Sequence, residues 1–460
     1  IRSLCFPCYT LMARFPRCHN RGAVRNLLAG LALLLGPSVV RGEAPSLLER
    51  VHKLEAQLQA LTPQQSELWR RDLFAVRMNG FVQVDAVLYR QDSLDQLDGA
   101  TGQPLNETRF VIRRARLRAE ADAKYVGARL ELDGNTIAGT QARLLGAEAW
   151  SEWPAPSGLI PYLGASIGLF KIPFGREVQQ YDPERLFLER SSMMKALFPG
   201  EYDLGVKVYG GWKFLRYTLA GMNGEPSGEQ AFAARDPNQS KDLVLRLGID
   251  SEIFRVVQLR AGISGVYGTG FSPGSLSSKD VLSFRDDNDD GQVQPSEIQV
   301  IRGRAATPSQ NFTRDAIGID AELTAQIPRI GALQISAELV WARNLDRGLV
   351  PADPIASGRD LRDLGHYLGV TQCISQYARI GIRFDYYDPD SDRQEQRGAL
   401  RVPISTAFST LAVTAAVQHP RYGRLAVEYN NNRNALGRSA AGVPTTLGRD
   451  SVVARAQVAF

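Results

Sequence analysis

The sequence predicts an all-β protein, a 16-stranded antiparallel transmembrane β-barrel preceded by a short N-terminal coiled-coil helix. From residue 77 to residue 460, polar and apolar residues alternate in segments of about ten residues, the length of a tilted strand that crosses a bilayer. The connections between these segments are alternately long and short, and the chain ends on an aromatic residue, Phe460. A soluble sandwich also alternates, but it rarely repeats strands of this length through so much of a chain.

Residues 1–42 have the layout of a secretory signal peptide. Six arginines and no acidic residue precede residue 43, and an apolar run follows at 27–35. A small-residue cleavage site near 40–42 completes the pattern. The apolar run is about half as long as a bilayer-spanning helix, so a retained membrane anchor is the less favoured alternative.

The charge and the cysteines of the chain are concentrated in this leader. The net charge is +5, but residues 43–460 contain 48 basic and 49 acidic residues. A basic surface for nucleic acid is therefore not expected. Three of the four cysteines also precede residue 43, which leaves Cys373 without an internal disulfide partner.

Residues 43–62 predict the short coiled-coil helix. Apolar residues recur there at alternating spacings of four and three, at Leu47, Val51, Leu54, Leu58 and Leu61. Two heptads are too short to associate alone, so other contacts must bring chains together. A single amphipathic helix packed on its own domain is the alternative. Thr62-Pro63 ends the helix, and 63–76 is predicted to be a linker.

The predicted barrel occupies residues 77–460. Sixteen candidate strands begin near residues 77, 108, 125, 142, 162, 201, 214, 243, 257, 312, 331, 365, 378, 399, 421 and 451. Connections after odd-numbered strands are mostly long and those after even-numbered strands mostly short. Outer-membrane barrels have long external loops and short periplasmic turns, and an even strand count permits closure without an exposed edge.

Five stretches of the predicted barrel follow a known pattern. They are RRAR at 113–116, GLFKIPFG at 168–175, FLER at 187–190, RFDYYDP at 383–389, and the spacing of Arg455, Gln457 and Phe460. Together they resemble the phosphate-selective porin O and P family. The resemblance implies a sixteen-stranded barrel in the lipid of a bacterial outer membrane. It further implies a homotrimer and a loop, here 172–200, folded inward as the constriction.

Arginines on the predicted polar faces are the candidate anion pathway. Alternation places Arg114, Arg116 and Arg118 on one face of a strand in steps of ~6–7 Å. The other candidates are Lys171, Arg176, Arg246, Arg260, Arg379 and Arg383. The guanidinium fork binds two oxygens at once, which suits phosphate. We therefore expect a water-filled diffusion channel for small hydrophilic solutes, with anions including phosphate among them. Alternatively, these arginines pair with acidic residues of the lumen wall.

The stretch RDDNDDGQVQPSEIQV at 285–300 is more acidic than its surroundings. Numbered from Asp286, it resembles the calcium loop of an EF-hand, with oxygen ligands at Asp286, Asn288, Asp290, Gln292 and Glu297. Gly291 stands where the loop needs a sharp turn, whereas Pro295 and strand-like flanks depart from the pattern. The spacing predicts a Ca²⁺ cofactor in external loop 286–297. A solvated acidic turn is the alternative.

Two other classes of function fit the sequence less well. Residues 164–168 match GxSxG around Ser166, but they lie inside a continuing strand, where a nucleophile elbow needs a strand-to-helix turn. An outer-membrane lipase-type enzyme would need His366 or His419 as its base, and we expect no enzyme. The third class is a surface-binding or structural barrel with a closed lumen.

Overall fold

The computed structural model describes residues 67–460 except 72–73, 91–107, 124, 138–141, 155–160, 227–235, 254–255, 285–287, 289, 291, 398–399, 420–421, 435–436, 439–443 and 446–449. The predicted signal peptide and coiled-coil helix lie outside these residues. Part of the predicted linker 63–76 differs from expectation, because Glu67–Arg71 forms a strand paired with residues 74–77.

Sixteen strands form the barrel. They are β1 (Phe74–Tyr89), β2 (Arg109–Asp122), β3 (Val126–Gly134), β4 (Ala142–Pro154), β5 (Pro161–Lys171), β6 (Tyr202–Trp212), β7 (Leu215–Met222), β8 (Asp242–Ile253), β9 (Val257–Ser272), β10 (Gln310–Ile327), β11 (Gly331–Arg343), β12 (Arg362–Ile374), β13 (Ala378–Asp388), β14 (Phe408–His419), β15 (Gly423–Asn434) and β16 (Ser451–Ala459).

The barrel closes between its first and last strands. Every strand pairs antiparallel with its neighbour in the chain, and β16 returns to β1 with Phe81 opposite Ala459 and Tyr89 opposite Ser451. Gly80 and Phe460 exchange two backbone hydrogen bonds of 2.9 and 3.0 Å. The prediction of sixteen antiparallel strands is confirmed, and closure leaves no row of unpaired backbone groups toward lipid.

The side-chain alternation places apolar residues on the outer surface of the barrel and polar residues inside, which is the reverse of a soluble protein. On β10, Ile317 and Ile319 are 48% and 49% exposed on the outer surface, while Asp320 and Glu322 are 3% exposed inside. Outward leucine, isoleucine and valine side chains recur on the other strands. An apolar exterior around a polar interior is the arrangement of a barrel that lies in lipid.

The connections alternate along the whole barrel. Long loops join odd-numbered strands to the next strand at one end, which we call the long-loop end, and turns such as 213–214 and 328–330 lie at the other, the short-turn end. The strand predicted near residue 399 is a loop hairpin instead, in which Leu400–Pro403 pairs with Gln394–Arg397. Pro403 has no backbone N–H for a sheet ladder, and the barrel strand begins at Phe408.

Short helices and a hairpin lie within the long loops. Helix α1 (Ser192–Leu197) lies between β5 and β6, and α2 (Pro354–Ser357) lies between β11 and β12. The β9–β10 loop contains a hairpin of Val281–Phe284 and Ile298–Ile301. Within the described ranges, no helix is long and apolar enough to cross a membrane.

Candidate functional site

The connection between β5 and β6, residues 172–201, lies inside the barrel. Its side chains Phe174, Met193, Met194, Leu197 and Phe198 are fully buried, and they form one apolar cluster with inward residues of the opposite wall. Those wall residues include Val244, Val266, Ala316, Val340 and Ala342. Small apolar residues thus replace polar ones on the inner face of β8–β11, which gives the loop a surface to pack against.

Two inward glycines allow the closest approach of this loop. A Cβ at Gly318 of β10 would lie 2.9 Å from the Phe174 ring, and one at Gly365 of β12 would lie 2.6 Å from Met193. Any larger side chain would push the loop from the wall. The loop therefore seats on β10–β12 by shape as well as by apolar contact.

Carboxylates of the wall hold the loop backbone. Glu338 Oε1 accepts hydrogen bonds from the backbone N–H groups of Arg176 at 2.5 Å and Glu177 at 2.6 Å. Asp385 accepts from Ser192 N at 3.1 Å, and Glu428 accepts from Leu188 N at 2.8 Å. These acceptors come from β11, β13 and β15, so the loop is attached on several sides of the lumen.

The predicted arginine ladder of β2 joins the loop to the opposite part of the wall. Arg116 contacts Asp182, and Arg114 lies 3.6 Å from the same carboxylate. Burial acts to raise the pKa of Asp182, but Arg114, Arg116 and Arg185 outweigh it and hold that pKa well below its usual range. Arg118 pairs instead with Glu131 of β3 at 2.7 Å. The ladder is thus part of an ion-pair network.

Most of the remaining predicted cations are also paired. Lys171 lies 2.8 Å from Glu201, Arg176 contacts Glu322, and Arg246 lies 2.5 Å from Asp320. Arg260 lies 3.5 Å from Glu322, and Arg383 lies 3.2 Å from Glu177. Eight of the nine predicted pore-lining cations therefore have a carboxylate partner. The exception is Arg379, which donates to the backbone carbonyl of Glu184 at 3.3 Å.

A small polar cavity of about 40 Å³ lies between the loop and the wall of β10–β13. It is lined by Arg176, Glu177, Gln180, Arg185, Leu186, Phe187, Glu322, Gln334, Ser336, Tyr367, Thr371, Arg379 and Arg383. The Arg383 guanidinium lies over the Phe187 ring, 4.8 Å from its centroid. Burial raises the pKa of Glu184, beside this cavity, to about 8 against the attraction of Arg379. The cavity brings Arg176, Arg379 and Arg383 of the predicted set together.

Sequence reasoning missed four polar members of this cavity. Gln334 and Ser336 lie at alternate positions of β11, and Tyr367 and Thr371 lie on the inner face of β12. The same period-two alternation that identified the charged residues also marks these four. They were not predicted as solute contacts, because the predicted pore-lining set contained only positively charged residues and these four side chains are uncharged.

The calcium-type loop is described in part. Asp290 accepts hydrogen bonds from Gln292 N at 2.7 Å and from the Gln294 side chain at 2.7 Å, while Asn288 accepts from Asp290 N at 3.1 Å. Glu297 is buried and accepts from Gln294 N at 3.1 Å. Asp286 lies outside the described residues. Among the residues that the structure describes, including those of this loop, no three acidic, histidine or cysteine side chains are grouped so as to hold a metal ion.

The residues that the alternative lipase-type enzyme would need lie apart on the barrel wall. Ser166 is buried on the inner face of β5, and the strand continues past it in register with both neighbours. His366 is partly exposed on the opposite face of β12 from Tyr367, where it stacks on Tyr386 at 5.3 Å. His419 stacks on Tyr422 at the short-turn end. Ser166 therefore has neither a nucleophile elbow nor either histidine as a base.

No family model and no curated protein matches the chain. Its fold is similar to the outer membrane channel DcaP of Acinetobacter baumannii, with 11% identity, a TM-score of 0.50, and coverage of 85% of this chain and 99% of that one. It is also similar to OprB of Pseudomonas putida, with 10% identity, a TM-score of 0.53, and coverage of 84% and 94%. These likenesses concern the fold. Together with the apolar exterior, they identify the chain as a closed sixteen-stranded β-barrel of the bacterial outer membrane.

Proposed function

We propose that the protein is an outer-membrane porin, a water-filled diffusion channel for small hydrophilic solutes. The observation that carries this proposal is a closed barrel with a charged lumen, narrowed by loop 172–201 beside a small polar cavity. The loop reduces the cross-section, and the charged cavity wall offers solutes replacements for hydration. The similar folds of the channel DcaP and of OprB agree with this function.

Within that function we expect a weak preference for anions, including phosphate. Arg176, Arg379 and Arg383 line the cavity, and a guanidinium can bind two phosphate oxygens at once. The pairing of eight of the nine cations limits the preference, because a paired arginine contributes little net charge to the pathway. The resemblance to the phosphate-selective porin O and P family rests on the sequence motifs alone.

Swelling of liposomes containing the purified protein tests the channel. A pentose should enter faster than a hexose, and a disaccharide more slowly still, because diffusion through a channel narrowed by loop 172–201 slows as the solute becomes larger. Liposomes with heat-unfolded protein are the matched control and should not swell. Folded protein that gives no swelling with any of these sugars would contradict the proposal.

A surface-binding or structural barrel with a closed lumen is the second candidate function. It is favoured by the attachment of loop 172–201 to β2, β11, β13, β15 and β16 through ion pairs and hydrogen bonds. A loop held on so many sides could block solutes completely. The same swelling assay separates the two candidates, because a closed lumen predicts folded protein without solute entry.

We also propose a homotrimer as the assembled form. The support is the family resemblance together with an exterior that is apolar on every strand, so that one sector can pack against other copies. Chemical cross-linking in detergent should give a band at three times the chain mass. A monomer under conditions that preserve the folded barrel would contradict it.

Loop 286–297 is proposed to bind Ca²⁺ at the long-loop end. Asn288 and Asp290 already direct side-chain oxygens into the loop turn, and the buried carboxylate of Glu297 stands at its end. An external loop suits a site with a Kd of about 10⁻⁴–10⁻³ M, as in extracellular modules. The ion would order a surface loop and leave the pore unchanged.

Calorimetric titration of Ca²⁺ into wild type, Glu297→Gln and Glu252→Gln tests this site. The wild type and Glu252→Gln, which changes an exposed carboxylate at the short-turn end, should bind one ion with the same affinity. Glu297→Gln should bind at least about tenfold more weakly, because it loses a bidentate oxygen pair. Identical curves for all three proteins would exclude Glu297 as a ligand.

A further inference from the structure

The turn that follows β11, residues 345–350, lies on the inward loop, and we call it the latch turn. Leu345 is fully buried in the apolar cluster that the inward loop forms with the wall. The backbone N–H groups of Arg347 and Gly348 both donate to the Ala196 carbonyl of α1 at 3.0 Å. A Cβ at Gly348 would lie 2.1 Å from a backbone oxygen of α1, so glycine permits this close approach. The latch turn thus holds α1 from the long-loop end.

Two buried carboxylates fix the shape of the latch turn. Asp346 is 1% exposed and accepts hydrogen bonds from the backbone N–H groups of residues 348–350 at 2.9–3.0 Å. Asp363 of β12 is 3% exposed and accepts from Leu345 N at 3.2 Å. In the part of the chain that the structure describes, no lysine, arginine or histidine nitrogen lies within 4.0 Å of either carboxylate. Burial of two such acids side by side is costly unless one of them is neutral.

One hydroxyl group lies between the two carboxylates. The side chain of Tyr387 is fully buried, and its hydroxyl oxygen lies 2.8 Å from Asp346 Oδ2 and 3.0 Å from Asp363 Oδ1. A tyrosine hydroxyl has a single proton, so it can donate to only one of these oxygens. The second contact becomes a hydrogen bond when the other carboxyl carries a proton and donates it to the tyrosine oxygen. Asp363 is that carboxyl, since it has one backbone donor where Asp346 has three.

Asp363 lies at the long-loop rim, above the part of the wall that faces lipid. The outward side chains at this level are charged, and they form ion pairs with one another. Arg343 lies 2.8 Å from Asp315, and Arg362 lies 3.1 Å from Asp392. Because lipid-facing positions of a barrel are apolar, these pairs mark the end of the membrane-spanning part.

The charged groups on the elements packed around Asp363 are acidic or are held by other partners. Arg359 lies 2.9 Å from Asp390 of the β13–β14 loop, and Arg347 donates to the Gly224 carbonyl at 2.8 Å. Among the described residues these groups are Asp346, Arg347, Arg359, Asp388, Asp390 and, on α1, the exposed Lys195. The surroundings of Asp363 therefore favour its neutral form.

Burial raises the pKa of Asp363 to about 7, and the negative charges of Asp346 and Asp390 act in the same direction. The hydrogen bonds from Leu345 N and from Tyr387 oppose this shift without cancelling it. Below about pH 7, Asp363 is protonated and its hydrogen bond to Tyr387 is present. Above that pH, two carboxylates repel each other across one hydroxyl, which weakens the attachment of the latch turn.

We propose that the latch turn is a proton-dependent attachment of the constriction, in which Tyr387 and the protonated carboxyl of Asp363 hold residues 345–350 on α1. When Asp363 ionises, its proton passes to water at the long-loop end. The turn then moves away from the Ala196 carbonyl, and α1 can shift within the lumen. Asp363 and Tyr387 are thus positioning residues of the inward loop. Only the effect on current rests on the proposed channel function.

Hydrogen exchange of the peptide that contains residues 345–350 tests the attachment in the folded barrel. At pH 5.5, the wild type and Asp363→Asn should exchange at equal rates, because the neutral amide can still donate to Tyr387. At pH 8.5, the wild type should exchange about tenfold faster than Asp363→Asn, since opening is favoured further with each pH unit above the pKa of Asp363. Asp392→Asn removes an exposed carboxylate at the same rim and should behave as the wild type. Equal exchange of wild type and Asp363→Asn at pH 8.5 would overturn the proposal.

Single-channel recordings at the same two pH values connect the attachment with the pore. The wild type should carry a steady current at pH 5.5 and show frequent transitions to a larger conductance at pH 8.5, whereas Asp363→Asn should be steady at both. The same transitions in both proteins would refute control of the pore by Asp363. Faster exchange at pH 8.5 without any current would retain the attachment and remove the channel, whereas currents with equal exchange would do the reverse.

Discussion

Asp182 illustrates how a lumenal charge acquires its role from its neighbours. A carboxylate buried at this depth would ordinarily be protonated, yet contact with arginines of β2 and with Arg185 keeps it ionised. The sequence predicted that Arg114 and Arg116 face the lumen, because alternation fixes the face of a strand. It left open whether they bind solute or fixed acids. That choice depends on loop residues far away in the chain, which no local pattern identifies.

Glu184 should make solute preference depend on pH. Below about pH 8 the Glu184 carboxyl is neutral, so it does not offset the positive charge of Arg379. Above that pH the carboxylate is ionised and partly offsets this charge. Arg176, Arg260 and Glu322 also face this group. The anion-to-cation permeability ratio should therefore fall as pH rises from 6.5 to 9.5.

Reversal potentials of wild type and Glu184→Gln in a potassium chloride gradient check this pH dependence. The variant stays neutral at every pH, so its permeability ratio should change less than that of the wild type across the same range. Glu252→Gln, at an exposed position, should retain the wild-type profile. A steep profile that survives in Glu184→Gln would assign the pH dependence to another group.

Loop 172–201 is the element that determines the cross-section. The inward fold was implied by the resemblance of GLFKIPFG and its neighbours to a porin family, since the residues alone do not place a loop in a lumen. The wall residues that receive it were not identified. Val244, Val266 and Ala316 interrupt the polar inner face, and mid-strand glycines such as Gly318 mark close approach. These apolar residues and glycines can be interpreted as a docking surface only when the loop that packs against them is known.

Phe174→Ala should loosen this loop and widen the pore. The Phe174 ring is fully buried, packs 4.8 Å from the Phe198 ring and seats on Gly318. Its loss should cost about 3–5 kcal/mol of loop packing, which is enough to shift the loop from its docked position. Single-channel conductance should rise and fluctuate more.

Leu276→Ala is the matched control, because Leu276 is 91% exposed in the β9–β10 loop. Its conductance should equal that of the wild type. If Phe174→Ala folds normally and conducts as the wild type does, then either the loop does not limit the current or its other attachments hold it without the aromatic core.

For the whole molecule, closure and sidedness were the predictable features. Period-two alternation predicted the strands. The alternation of long and short loops predicted an even number of strands, with both ends of the barrel chain on the same side of the membrane. One strand start was wrong, because Leu400–Pro403 has strand composition but pairs within its own loop. The nearly equal numbers of basic and acidic residues in 43–460 agree with the pairing of lumenal charges. The position of uncompensated charge could not be foreseen, since it requires knowing every partner in three dimensions.

Planar-bilayer recording of the folded wild-type protein in a potassium chloride gradient tests the central claim most directly. We predict stepwise currents with a reversal potential on the anion-selective side and of modest size, because eight of the nine predicted pore-lining cations have a carboxylate partner and Arg379 does not. Folded barrels that insert without any current would establish a closed lumen. A clearly cation-selective current would contradict the assignment of the pathway to these arginines.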